Sequence, residues 1–207
     1  MILTDREIRA LCTKPDAPLI SPFQEDQLQS ASYDVTMGDH VFSFRKNVQT
    51  IQLTDQCAID ALYQTTVLTG KPYVLASQEY ILVSLRERLQ IPQTLIAHIR
   101  PRTRFTRLGL IVSAQHCNPT YDGTLQLGLL NAGPNAVALL PGLKIAQVVF
   151  EELKGEPSPE KLYKNQPHAA YQGESEFRGA KFGGAEFTGA AKALYEEMTR
   201  LLRQEEG

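Results

Sequence analysis

Four arginines fall within eight residues of this chain and are interleaved with threonines: Arg100, Arg102, Arg104 and Arg107. A guanidinium group binds phosphate oxygens through a fork of N–H donors, and several together neutralise a polyphosphate. The alternative is that these arginines form only structural ion pairs. The formal net charge of −2 creates no general attraction to nucleic acid or to a membrane surface, so a cationic site must be local to this cluster.

A tight turn follows the arginines, with the sequence Asn-Pro-Thr-Tyr-Asp-Gly over residues 118–123. An aromatic ring in such a turn can pack against a flat ring or a sugar; the alternative is that Tyr121 is an ordinary hairpin tyrosine. Together, the arginines and the turn predict a site for a polyphosphate ligand that carries a sugar and a base.

Composition limits the other kinds of function. The chain has 207 residues, of which 43% are apolar, and this suits one domain with a short appendage. Three cysteines without a CxxC pair and four histidines without a metal-binding spacing predict neither a disulfide framework nor a protein-bound metal. There is no signal peptide and no apolar run of 18 residues, so we expect a cytoplasmic protein that does not span a membrane.

Short β-strands dominate the pattern from Ser32 to Phe150, and turn residues separate many of them. A capping box at Thr4–Glu7 predicts a short helix before them. A further turn of helix is predicted at Leu85–Gln90. Many short strands with little helix are typical of a sandwich or a closed barrel.

Segments of different character follow the β region. Residues 154–174 are rich in Pro, Lys, Gln and Gly and are predicted to form an arm or linker. Residues 175–189 repeat every five residues (SEFRG, AKFGG, AEFTG) and resemble pentapeptide-repeat proteins, while residues 190–207 are predicted to form an amphipathic helix. A partner protein is expected to bind through residues 175–207.

The stretch from residue 99 to 152 resembles the dCTP deaminase/dUTPase superfamily, and residues 30–38 (SASYDVTMG) are closest to its dCTP deaminase branch. The resemblance covers residues 1–153 as one domain and extends into the arm. It implies a mainly β, distorted β-barrel or jelly-roll-like fold with the two terminal helices described above. It also implies a homotrimer whose sites lie between subunits and a pyrimidine deoxynucleoside triphosphate as ligand, with Mg²⁺ on the phosphates. It implies no nucleic-acid partner.

The resemblance also assigns nucleotide-binding residues, in two groups. The phosphate-binding motif corresponds to Arg102, Thr103, Arg104 and Arg107. The sugar, base and closing arm correspond to Asn118, Tyr121, Gln126, Tyr163, Tyr171 and Gln172.

The chain departs from the family at the positions that perform chemistry. The glutamate that activates water in the deaminase branch corresponds to Gly128, and the aspartate that orients water in the dUTPase branch corresponds to Asn118. Neither residue can take a proton as a general base must. An arm lysine of the deaminases corresponds to Ala170, and a nearby glutamine corresponds to Glu174.

Three functions therefore stay open from sequence. The first is deamination of dCTP to dUTP and ammonia, with Asp122 or Glu174 as a substitute acid. The second is a dUTPase-like pyrophosphatase, favoured by the likeness of residues 178–184 to a glycine-rich dUTPase motif. The third is a non-catalytic module that binds the nucleotide, which is what retained arginines and lost acids predict.

Overall fold

The structure is a computed structural model that describes residues 1–45, 50–182 and 187–205. These residues form a mainly β fold, which confirms the predicted fold class. The strands are β1 Ile20–Ser21, β2 Leu28–Gln29, β3 Ser32–Phe44, β4 Tyr63–Val67, β5 Tyr73–Leu75, β6 Tyr80–Gln90, β7 Leu95–Pro101, β8 Leu110–Val112, β9 Gln115–Cys117, β10 Asp122–Asn131, β11 Val137–Leu139 and β12 Lys144–Glu152. The helices are α1 Asp5–Cys12, α2 Gln56–Asp60, α3 Thr103–Arg107 and α4 Gly189–Glu205.

Helix α1 begins as the sequence predicts. The backbone N–H and the hydroxyl of Thr4 both donate to the Glu7 carboxylate, at 2.8 and 2.9 Å. This capping box satisfies polar groups that the first turn of a helix leaves without partners. Ile8 and Cys12 on the inner side of the helix are buried in the core.

Two local predictions were wrong. Residues Leu85–Gln90 continue strand β6 rather than forming a turn of helix, and their burial alternates as on a pleated strand. The alternating apolar residues also predict a strand over Leu108–Val112, but this strand begins only at Leu110, because the residues before it close the short helix α3. The apolar run there does not by itself distinguish a helical turn from a strand.

The main sheet runs in the order β8-β10-β6-β3-β12-β7-β9, and β1 and β2 pair with β6 and β3. Its neighbouring strands are antiparallel. A separate pair joins β11 to β5. The inward side chains form one continuous apolar core that includes Tyr33, Ile99, Leu127 and Phe150, all fully buried. This core holds the strands that carry the site.

The described chain divides into two compact units: residues 1–43 with 65–177, and residues 44–64 with 178–207. The first unit contains the core of the sheet and the arm. No helix of the described residues is both long and apolar enough to cross a membrane.

The second unit contains α2, α4 and the described residues 178–182 and 187–188. Lys181 forms an ion pair with Asp60 at 2.8 Å, and the Gln56 amide donates to the carbonyl oxygen of Ala180 at 2.9 Å. The described part of the fivefold repeat forms no strand, and residues 183–186 lie outside the described residues. The resemblance to pentapeptide repeats therefore stays a prediction.

Candidate nucleotide site

Arg102, at the entrance to α3, is held by a buried carboxylate. Its guanidinium forms an ion pair with Asp34 of β3, whose side chain is only 3% exposed. The Gln29 amide also donates to this carboxylate, at 3.2 Å. The Arg102 side chain is 23% exposed, although the nitrogen that faces Asp34 is buried.

The other predicted phosphate-binding residues lie on α3 and are exposed: Thr103, Arg104 and Arg107. Among the residues that the structure describes, neither Arg104 nor Arg107 has an ion-pair or hydrogen-bond partner. Arg102 and Arg104 border a groove of about 470 Å³ that is otherwise lined mainly by apolar residues from α3, β11 and the start of β12. We call it the arginine groove. A short helix therefore presents cations at an apolar surface.

A larger groove, of about 920 Å³, lies along the outer sides of β6 and β10. We call it the β6–β10 groove. Its polar strand residues are Ser84 and Arg86 from β6 and Thr124 and Gln126 from β10. The segment 38–40 of β3 and the arm residues 175–177 complete its walls.

The arm wall of this groove is attached through two aromatic rings. Phe177 stacks on Phe42 of β3, with ring centroids 3.9 Å apart and an angle of 12° between the planes. The sequence pattern placed Phe177 in the first of the repeats. In the structure, the Phe177 ring packs against β3 and holds the end of the arm beside the groove.

Irregular pairing shapes the groove. Thr124 pairs with Arg88 and Gln126 pairs with Ser84, so residues 85–87 of β6 stand against the single residue Leu125 of β10. Such bulges re-aim side chains and are frequent beside functional sites. Arg86 is exposed at this bulge and has no ion-pair partner in the described part of the chain. Sequence reasoning missed Arg86, because a bulge depends on the register of two distant strands.

Gln126 carries a buried acceptor that lacks a donor. Its side-chain oxygen is inaccessible to solvent and has no hydrogen-bond partner among the described residues. A buried acceptor without a partner is uncommon, since the loss of hydration is not offset. A ligand N–H in the groove would satisfy it once the side chain turns its oxygen toward the groove.

The predicted aromatic of the turn, Tyr121, is buried beneath the arm. It is 5% exposed, and its ring centroid lies 5.7 Å from that of Tyr163. Burial raises the pKa of the Tyr121 phenol well above its ordinary value, so the group stays protonated. Its hydroxyl also leaves no room for a side chain at 123, where a Cβ would lie 2.8 Å away.

The arm brings Tyr163, Tyr171 and Gln172 to this turn. The Tyr171 amide donates to the Tyr163 hydroxyl at 3.3 Å. The Gln172 side chain donates to the Thr120 carbonyl at 3.1 Å and accepts from the Asp122 amide at 3.3 Å. The structure therefore gathers these predicted residues around Tyr121 within one chain.

The two candidate acids near the turn are already engaged. Asp122 forms an ion pair with Arg88 at 2.8 Å. Glu174 is 4% exposed, and its carbonyl accepts from the Thr124 amide at 2.7 Å. Neither residue lines the β6–β10 groove.

Gly128 and Asn118 are the residues that the family resemblance assigns to the positions of the acids. Gly128 is buried in β10, where its amide donates to the Ser113 hydroxyl at 2.9 Å. Asn118 is exposed, and its carbonyl closes the turn by accepting from the Tyr121 amide at 3.1 Å.

No three His, Cys, Asp or Glu side chains among the described residues are grouped so that they can hold a metal ion.

Comparison with known proteins identifies relatives over nearly the whole chain. Residues 2–153 match a family model described as dCTP deaminase-like. A dCTP deaminase of Natronomonas pharaonis is 36% identical over 198 residues, which cover 91% of this chain and 99% of the relative. A protein of Halobacterium salinarum, named dCTP deaminase, dUMP-forming, is 32% identical over 199 residues, covering 90% and 100%.

A solved structure supports the fold. The 2′-deoxycytidine 5′-triphosphate deaminase of Agrobacterium tumefaciens superposes with a TM-score of 0.58 at 22% identity. The superposition covers 73% of this chain and 48% of that one, so this chain spans about half of the length of that structure. At this identity the likeness concerns the fold alone.

Proposed function

Given that the chain belongs to the dCTP deaminase-like family, we propose that it binds a pyrimidine deoxynucleoside triphosphate without catalysing deamination. Position 128 carries this proposal. The family's water-activating carboxylate corresponds to a glycine that is buried in β10. A glycine offers no group that can take a proton from water and return it to a leaving amine.

The phosphate end of the ligand is assigned to α3. Arg104 and Arg107 are exposed there, and Arg102 is oriented by Asp34. Each guanidinium can form charge-assisted hydrogen bonds with phosphate oxygens, and Mg²⁺ bound to those oxygens would reduce their repulsion.

The base end is assigned to the β6–β10 groove, where the Gln126 oxygen lacks a donor. Within one chain, Gln126 lines one groove, whereas Arg102 and Arg104 line the other. A homotrimer that sets the arginine groove of one subunit beside the β6–β10 groove of the next would bring the two ends together. This arrangement agrees with the intersubunit sites that the family resemblance implies.

Deamination is the second candidate, favoured by relatives named dCTP deaminase that cover nine-tenths of this chain. It requires Asp122 or Glu174 to replace the missing carboxylate. Asp122 is occupied by Arg88 and Glu174 is buried against β10, so either residue would first have to leave its partners. A dUTPase-like reaction would lack its water-orienting acid, because the resemblance assigns that position to Asn118.

The test is calorimetric binding of dCTP and dUTP with Mg²⁺, combined with mass-spectrometric analysis of the same samples. We expect binding and unchanged nucleotides. Replacing Arg107 with Ala should weaken binding about tenfold, as expected for lost hydrogen bonds to a charged group. The matched control is Arg6→Ala, which removes an exposed arginine of α1 and should bind as the wild type does.

Each other result selects a different conclusion. Formation of dUTP would establish deamination and overturn the non-catalytic proposal, and Asp122→Asn and Glu174→Gln would then identify the acid. Formation of dUMP from dUTP would place the chain with the pyrophosphatases, and formation of dUMP from dCTP would place it with the relatives that are named dUMP-forming. Absence of binding would overturn the proposal altogether.

Other expectations from the sequence stay predictions: the domain boundaries, the cytoplasmic location and the protein partner of residues 175–207. The exposed leucines of α4, Leu194 and Leu201, support the last of these. They lie seven residues apart and so share one side of the helix.

A further inference from the structure

Tyr80 covers Gly128. The two residues lie on neighbouring antiparallel strands, where Tyr80 pairs with Leu130 and Gly128 pairs with Leu82. They are therefore diagonal neighbours on the same side of the sheet. A Cβ atom built at Gly128 would lie 2.0 Å from the Tyr80 hydroxyl oxygen and 2.7 Å from the ring carbon that bears it. The phenol thus occupies the space in which a side chain at 128 would begin.

The backbone does not require glycine at this position. Gly128 does not have a positive φ angle, so its backbone conformation suits an ordinary L-residue. The strand is also fixed in place, because both the amide and the carbonyl of Gly128 bond to Ser113, at 2.9 and 2.8 Å. The three atoms nearest to a Cβ at this position all belong to Tyr80, so the ring would have to move to admit a side chain.

An aromatic ring over a strand glycine compensates for what glycine lacks. Glycine weakens a strand because it has no side chain to pack and is freer in the unfolded chain. A cross-strand ring covers the exposed backbone and restores packing. Gly128 and Tyr80 consequently form one structural pair.

We propose that Tyr80 is a ligand-positioning residue of this site, whose hydroxyl stands in for the missing carboxylate at 128 and holds the base of the nucleotide through a neutral hydrogen bond. This inference rests on the proposed function. Tyr80 is 42% exposed as a residue. It does not itself line the β6–β10 groove, which ends at Gln126 on this side of β10. Gln126 lies on the same side of β10, two residues or about 7 Å before Gly128, so the proposal places the base between Gln126 and the Tyr80 hydroxyl.

The chemistry of a phenol at this point differs from that of a carboxylate. Partial burial raises the pKa of Tyr80, so the hydroxyl is protonated at neutral pH. It can donate or accept a hydrogen bond, but it does not take a proton from water. Tyr80 would therefore allow recognition of a base while withholding the first step of deamination.

The first experiment compares wild type, Tyr80→Phe and the control Tyr195→Phe, which removes a hydroxyl from α4. Binding of dCTP and dUTP is measured by calorimetry. Tyr80→Phe should weaken binding of at least one nucleotide about fivefold, as for the loss of one neutral hydrogen bond, and the control should not. Wild-type binding with an unchanged Tyr80→Phe variant would overturn this inference and leave the proposed function standing. Absence of wild-type binding would overturn the proposed function itself.

The second experiment tests the pairing without a ligand. Gly128→Ala should lower the melting temperature by about 5 °C when Tyr80 is present, because the ring must move or strain the core. In a Tyr80→Ala background the same substitution should cost little. Additive effects of the two changes would overturn the pairing. If Gly128→Ala does not fold alone, recovery of folding in the double variant would support it, and failure there as well would refute it.

Discussion

Arg102 and Arg107 are both predicted to bind phosphate, but the structure separates their roles. Arg102 pairs with Asp34, a carboxylate that is 3% exposed, whereas Arg107 is exposed and has no partner in the described residues. We therefore predict that Arg102→Ala destabilises the fold and that Arg107→Ala does not.

The magnitude follows from the burial of Asp34. Removing one member of a fully buried ion pair costs about 3–5 kcal/mol, because the remaining charge lacks compensation. The Arg102 side chain is 23% exposed, so water can reach the space that it leaves, and Gln29 still donates to Asp34. These two effects offset part of the cost. We expect a loss of about 2–3 kcal/mol, or about 5–10 °C in melting temperature for a chain of this size. Arg107→Ala should change the free energy of unfolding by less than about 0.5 kcal/mol.

Urea unfolding of both variants measures the difference. The matched control combines Arg102→Ala with Asp34→Asn, because a neutral amide does not need a cation. This double variant should recover part of the stability that Arg102→Ala loses. Equal stability of Arg102→Ala and Arg107→Ala would refute the argument that Asp34 anchors the motif. So would a double variant that loses the sum of both single effects.

Three further predictions address the rest of the chain. Burial and a neighbouring histidine lower the pKa of His98 below its ordinary 6.5, so the unfolded chain binds this proton more readily than the folded chain does. The free energy of unfolding should therefore fall as the pH drops through 6.5. His98→Asn should remove this dependence when the urea midpoint is measured against pH. Glu87→Gln should lower the free energy of unfolding by about 1–3 kcal/mol in the same assay. The buried Glu87 carboxylate accepts hydrogen bonds from Gln27 and Thr36 with both of its oxygens, and the amide would replace one of these acceptors with a donor. A thiol reagent at neutral pH should label the native protein at Cys57 alone, because burial raises the pKa of Cys12 to about 11 and that of Cys117 to about 12. Mass spectrometry of the Cys57→Ser variant should then show no label. A label on either buried thiol would contradict the burial.

Local patterns in the sequence were enough for most of the elements and for a hypothesis about the chemistry of the site. The alternation of apolar residues indicates most strands, and the capping box places the start of α1. The clustered arginines predict a phosphate ligand, and the resemblance assigns Gly128 to the position of the family's carboxylate. These features depend on residues that are close together in the chain, so periodicity and residue type express them directly.

Tertiary structure decided how those residues are used. Asp34 and Arg102 are 68 positions apart in the sequence, so nothing local indicates that the arginine is anchored. The bulge that exposes Arg86 and the ring of Tyr80 over Gly128 both depend on the register between β6 and β10. The register of antiparallel strands is set by packing of the whole core and is not encoded within either strand alone. For that reason the missing carboxylate is visible in the sequence, while the phenol that fills its place is visible only in the fold.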